Sequence, residues 1–93
     1  MKIDLTKGMS IGVLVEGRQV GQIEKRLALL NLKCSYRCPK YEAVKSIVIY
    51  IHTAKESNSY GVYDFSNPSC TSLLSYKEAL KELNTLIKQK EAL

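Results

Sequence analysis

A chain of 93 residues is long enough for one compact domain around one core and too short for two, so residues 1–93 read as a single domain. Its composition, 45% apolar and 25% charged, is ordinary for a globular protein, and no segment has the high charge and low hydrophobicity of a disordered tail. The net charge is +5, and all of that excess lies in residues 25–45, where Lys25, Arg26, Lys33, Arg37, Lys40 and Lys45 stand against one acid, Glu42.

Ser10 to Val15 places Ile11, Val13 and Val15 on one face at period two, which predicts a strand ending before Gly17. From Arg18 to Leu32 the period changes. Val20, Ile23, Leu27 and Leu30 recur at three and four residues with polar side chains elsewhere on the wheel, which predicts an amphipathic helix. Gly21 is its weak point, because glycine costs about 1 kcal/mol against alanine inside a helix. Lys33 to Cys38 suits a short strand, and Pro39, which lacks a backbone donor, stops the pairing or confines it to a sheet edge.

Lys45 to Thr53 is the clearest strand. Ile47, Ile49 and Ile51 share one face and Val48, Tyr50 and His52 the other, and β-branched residues on both predict a central position. The polar connection 55–59 leads to an aromatic strand, Tyr60 to Phe65, paired in an antiparallel hairpin, and Ser66-Asn67-Pro68-Ser69 reads as a turn. Ser75 with Glu78 has the spacing of a capping box, and Leu74 can staple onto Ala79. Beyond it Tyr76, Ala79, Leu80, Leu83, Leu86 and Ile87 form the apolar stripe of a second helix. The expected fold is therefore α+β: a small antiparallel sheet of three to four strands with two amphipathic helices on one face.

A local positive field with Tyr36 and Tyr41 interleaved suits a polyanion, so the primary expectation is a small basic nucleic-acid-associated binding protein. Lys25, Arg26, Lys33, Arg37, Lys40 and Lys45 would contact phosphates, Tyr36 and Tyr41 would stack on bases, and Tyr50 and His52 would add contacts on the sheet face. RNA and DNA are not distinguished. The same residues would equally dock an acidic protein surface, as in a phage- or virus-type inhibitor of a host nucleic-acid-handling or defence protein. An enzymatic alternative is a toxin-type ribonuclease using His52, Tyr50, Arg37 and Lys33. A lone histidine without a partner, and no phosphate loop, dinucleotide fingerprint or nucleophile motif, make a non-enzyme the expectation.

Cys34, Cys38, Cys70 and His52 are the one conceivable zinc set, but no second paired motif accompanies them, and free thiols packed as small hydrophobes are expected, with no cofactor. Three irregularly spaced cysteines do not form a disulfide framework and fit a reducing compartment. No apolar run approaches the roughly 18 residues of a membrane span, and Asp4 lies where a signal peptide would be basic and apolar, so a cytoplasmic protein without membrane association is expected. An uncovered strand edge or aromatic face would invite a homodimer.

The order helix, three short strands, helix from Gln19 to Lys90, with Ser75-Tyr76-Lys77-Glu78-Ala79-Leu80-Lys81 opening the second helix, loosely resembles the double-stranded-RNA-binding domain. That family places several lysines at this helix start, whereas here Glu78 and Glu82 offset Lys77 and Lys81. The hairpin followed by Leu74-Ser75-Tyr76-Lys77-Glu78-Ala79 also resembles the sheet-then-helix DNA-binding arms of integrases over about half the chain. Neither resemblance assigns a family.

Overall fold

A computed structural model describes residues 3–5, 7–53, 58–64 and 72–92. Strand β1 (Met9–Val15) leads through a 3-10 turn at Gly17–Gln19 into helix α1 (Val20–Leu29), then into β2 (Lys33–Arg37). A second 3-10 turn at Tyr41–Ala43 precedes β3 (Ile47–Thr53), which is followed by β4 (Ser59–Tyr63), β5 (Ser72–Ser75) and α2 (Tyr76–Glu91). The fold is α+β as expected, with both helices on one sheet face, but the sheet has five strands in the order β2-β4-β3-β1-β5 and is mixed.

The mixed pairing corrects the expected antiparallel sheet of three to four strands, and for β2 its cause is the connection through α1. A helical crossover returns the chain to the end where it started, so β2 runs parallel to β1, whereas a hairpin reverses direction. The antiparallel pairs are β1 with β3 and β3 with β4, while β2 pairs with β4 and β5 with β1 in parallel. Only β3 therefore runs against the other four, and it occupies the centre as its two β-branched faces suggest. The fifth strand, β5, is missing from the sequence reading because it is four residues long and its last residue, Ser75, is also the α2 cap. β5 also interrupts the helix, three strands, helix order on which the likeness to double-stranded-RNA-binding domains rested.

Helix α1 is shorter than the periodicity suggests. Asn31 adopts a left-handed φ of 66°, and the amides of Asn31 and Leu32 donate to the carbonyls of Ala28 and Leu27, which closes the helix in a Schellman motif. At the other end, Gly17 donates to the Val44 carbonyl at 2.8 Å, and a Cβ on Gly17 would lie 1.9 Å from the Tyr41 carbonyl oxygen. That close approach, possible only for glycine, fastens the 41–44 turn to the start of α1. Helix α2 starts at the expected capping box: the Glu78 amide donates to Ser75 Oγ at 3.2 Å and the Ser75 amide donates to Glu78 Oε1 at 3.1 Å.

Ile11, Val13, Ile47, Ile49, Ile51 and Val62 from the sheet meet Val20, Ile23 and Leu27 of α1 and Ala79 and Leu83 of α2 in the core. Each valine, leucine or isoleucine among them, when fully buried, contributes about 1.5–3 kcal/mol. The buried polar Thr53 donates through Oγ1 to the Lys7 carbonyl, tying the end of β3 to the segment entering β1. Residues 55–57 of the polar connection, Phe65, the 66–69 turn and Cys70 lie outside the described residues.

Candidate functional site

Because both helices cover one face, the other carries whichever side chains alternate away from the core. The strand register sets these in rows across the sheet. Lys33, Ser59, His52 and Ser10 form one row, and Tyr36, Gly61, Tyr50, Gly12 and Leu73 the next. Tyr63, Val48, Leu14 and Ser75 form the third.

Three tyrosines from three strands meet in these rows. The rings of Tyr36 and Tyr63 stack with centroids 4.9 Å apart and planes 25° from parallel. Tyr50 meets Tyr63 edge-on at 5.4 Å. Offset stacking and edge-to-face contact are the two arrangements that the ring quadrupole favours. Gly61 makes the cluster possible, because a Cβ there would stand 2.5 Å from Cε2 of Tyr63, whose ring lies across the glycine. Tyr36 is 46% exposed, whereas Tyr50 is 4% exposed and serves as the support under Tyr63. Lys33 and His52 are exposed in the polar row alongside, separated by Ser59.

The strand that brings Lys33 and Tyr36 here is the sheet edge. All five residues of β2 are exposed, and among the described residues β4 is its one strand partner. Between Cys34 and Tyr36 the register slips by a bulge, and Ser35 Oγ donates to the Tyr60 carbonyl there at 3.1 Å. As a result Lys33 and Tyr36 share the helix-free face although they are three residues apart.

Arg37, one residue on, points the other way. Its Nε donates to Glu24 Oε2 of α1 at 3.1 Å, its Nη2 donates to the same oxygen, and the Tyr60 hydroxyl donates to that oxygen at 2.8 Å. The hydrogen bond to Glu24 holds the Arg37 pKa above its ordinary value, while burial, followed by the bond to Glu24, raises that of Tyr60. Tyr41 is half-buried with the Arg37 guanidinium 5.9 Å from its ring centroid, and burial raises its pKa as well.

The basic segment is therefore distributed rather than gathered in one patch. Arg26 links the helices, its Nε donating to Asn84 Oδ1 and its Nη1 to the Gln22 carbonyl, both at 2.8 Å. Lys25 on α1, Lys40 in a left-handed turn at φ 54°, and Lys45 before β3 are exposed. Arg37 and Tyr41 lie with the helices, whereas Lys33, Tyr36, Tyr50 and His52 belong to the opposite face. The four residues of the ribonuclease alternative are divided accordingly, with Arg37 across the sheet from His52 and Tyr50 buried. Cys34 is exposed and Cys38 buried, burial raising the Cys38 pKa, and no cluster of three or more metal-ligating side chains occurs among the described residues.

Compared with known proteins, the chain matches no family model, no curated protein and no solved structure. Sequence reasoning singled out Tyr36 and the outer row of β3, and it missed Glu24 and the role of Gly61 with Tyr63. A glycine two residues before a tyrosine in a strand places both on one face, which is the signal available for the second pair. No helix among the described residues is long and apolar enough to cross a membrane.

Proposed function

We propose that this chain binds single-stranded nucleic acid on the helix-free sheet face at its β2 edge. The observation that carries the reading is the Tyr36–Tyr63 stack, whose outer ring is open to solvent. A base laid on Tyr36 extends a stack that already exists, and the Tyr36 ring rests on Tyr63, which is itself seated over Gly61 and met edge-on by Tyr50, so less side-chain entropy remains to be lost on binding. Lys33 and His52 in the adjacent row face the backbone of such a strand, and exposed Lys25, Lys40 and Lys45 add a sequence-independent field. Arg37 and Arg26, engaged within the protein, are support rather than contacts. Single strands are favoured over duplexes because a paired base hides its face, and stacking itself is indifferent to RNA or DNA.

The test is binding of labelled single- and double-stranded oligonucleotides over a salt titration, with Lys33→Glu beside the unaltered protein. Single strands should bind more tightly than duplexes, with log affinity falling linearly in log salt and a shallower slope in the variant. Duplex preference, or no binding at physiological salt, would contradict the reading.

A second reading rests on the edge of β2 that no other described strand pairs with, where an extended acidic segment of another protein can add a strand. A second copy is a poor occupant, since antiparallel pairing about Ser35 sets Lys33 opposite Arg37, and the bulge blunts the edge. An acidic peptide that competes with oligonucleotide for the protein would favour this reading.

A further inference from the structure

On the other side of the molecule, a groove of about 740 Å³ lies between residues 3–5, the end of α1 and the C-terminal half of α2. That volume falls within the roughly 300–1,000 Å³ of small-molecule sites. Ile3, Leu5, Leu30 and Leu86 give it apolar walls, and Glu82 of α2 lines it. The Glu82 Oε1 atom is buried and has no hydrogen-bond partner among the described residues. A buried carboxylate oxygen without a donor is costly, and such atoms are rare enough in folded proteins to call for an explanation. The basic side chain on the same lining, Lys90, is committed elsewhere, its Nζ donating to the Leu29 carbonyl at the end of α1 at 2.8 Å. Asp4 adds a second carboxylate to the lining.

We infer that this groove is a binding site for a small amphiphilic cation, a primary amine on an aliphatic body, with the ammonium on Glu82 and the carbon chain along Ile3, Leu5, Leu30 and Leu86. The ammonium meets the Glu82 carboxylate on the lining in a charge-assisted hydrogen bond, the stronger kind, while the chain leaves water against the leucines. An anionic amphiphile of the same length meets the Glu82 carboxylate and is disfavoured, and a neutral one gains the apolar contact alone. This site is separate from the tyrosine face and does not depend on the nucleic-acid reading.

The experiment is a titration of the ¹⁵N-labelled full chain with hexylamine, hexanol and hexanoate at constant ionic strength, followed by amide shifts. Hexylamine should shift residues 30–31 and 82–90 saturably, with an affinity about tenfold or more above that of hexanol, as a charge-assisted bond implies, and hexanoate should bind least. Glu82→Gln should bring hexylamine down to the level of hexanol. Equal affinities for the three probes, no saturable binding, shifts centred elsewhere, or an unchanged preference in Glu82→Gln would overturn the proposal. Should that variant fail to fold, the ranking of the three probes on the unaltered protein decides the matter.

Discussion

Tyr36 of the edge strand and Tyr63 of its neighbour stack 4.9 Å apart, and their partnership depends on Gly61 lying under the Tyr63 ring. If bases continue that stack, Tyr36→Ala removes the platform, and single-strand affinity should fall about 5- to 150-fold, since base–aromatic stacking is worth about 1–3 kcal/mol. Because Tyr36 is 46% exposed and stands on an edge strand, the unfolding midpoint should fall only modestly, and Tyr36→Phe should retain binding. Fluorescence anisotropy with a labelled oligonucleotide checks the first outcome and urea denaturation the second.

Gly61→Ala approaches the same stack from below. The new methyl would meet the Tyr63 ring, a side chain that can swing aside, so the protein should fold while Tyr63 loses its seat. Reduced oligonucleotide binding with near-native stability, together with a changed near-ultraviolet tyrosine spectrum, is the expected result. Unchanged binding would mean the seat is immaterial.

Alkaline pH should weaken the fold in a defined window. Burial raises the pKa values of both Cys38 and Tyr60 in the folded chain, so the unfolded chain ionises first as pH rises. The stability due to their neutral forms is complete below the ordinary values of 9.0 for the thiol and 10.0 for the phenol, and it is lost progressively above them. Urea midpoints measured from pH 7 to pH 11 should decline from about pH 9 and more steeply beyond 10. Tyr60→Phe, which lacks the ionisable hydroxyl, should flatten the upper part of the curve.

Two substitutions separate charge from folding. Gly21 is exposed in α1 with nothing within 4 Å of an added Cβ, so Gly21→Ala should stabilise by about 0.5–1 kcal/mol. Lys40 holds a left-handed conformation that a non-glycine residue adopts at a cost of about 1–2 kcal/mol. Lys40→Gly should therefore also stabilise while removing a cation, and any loss of oligonucleotide affinity in it reports the charge. Denaturant midpoints and a binding isotherm on each variant check both.

How much of this was legible in the sequence depended on whether a residue's partner was local. The β3 alternation, the α2 stripe and the Ser75–Glu78 box are set by spacings of two, three and four residues, and each appears in the structure where the spacing puts it. Strand direction is not local: β2 and β5 pair in parallel because of where α1 and the β4–β5 connection deliver the chain, and β5 is too short to show a period. At the site, the alternation in β3 pointed to an aromatic outer face, and the bulge in β2 decides that Tyr36 joins it while Arg37 turns to Glu24, thirteen residues earlier. A linear count of positive charge cannot see that pairing, and the apparent patch is consequently spread over two faces.

The most direct measurement is a titration of the ¹⁵N-labelled protein with a short single-stranded oligonucleotide, read residue by residue. Binding on the tyrosine face should move the amides of β2 and β4, residues 33–37 and 59–63, together with His52, and leave α1 and α2 nearly still. Shifts concentrated on the helices, or none at physiological salt, would contradict the account.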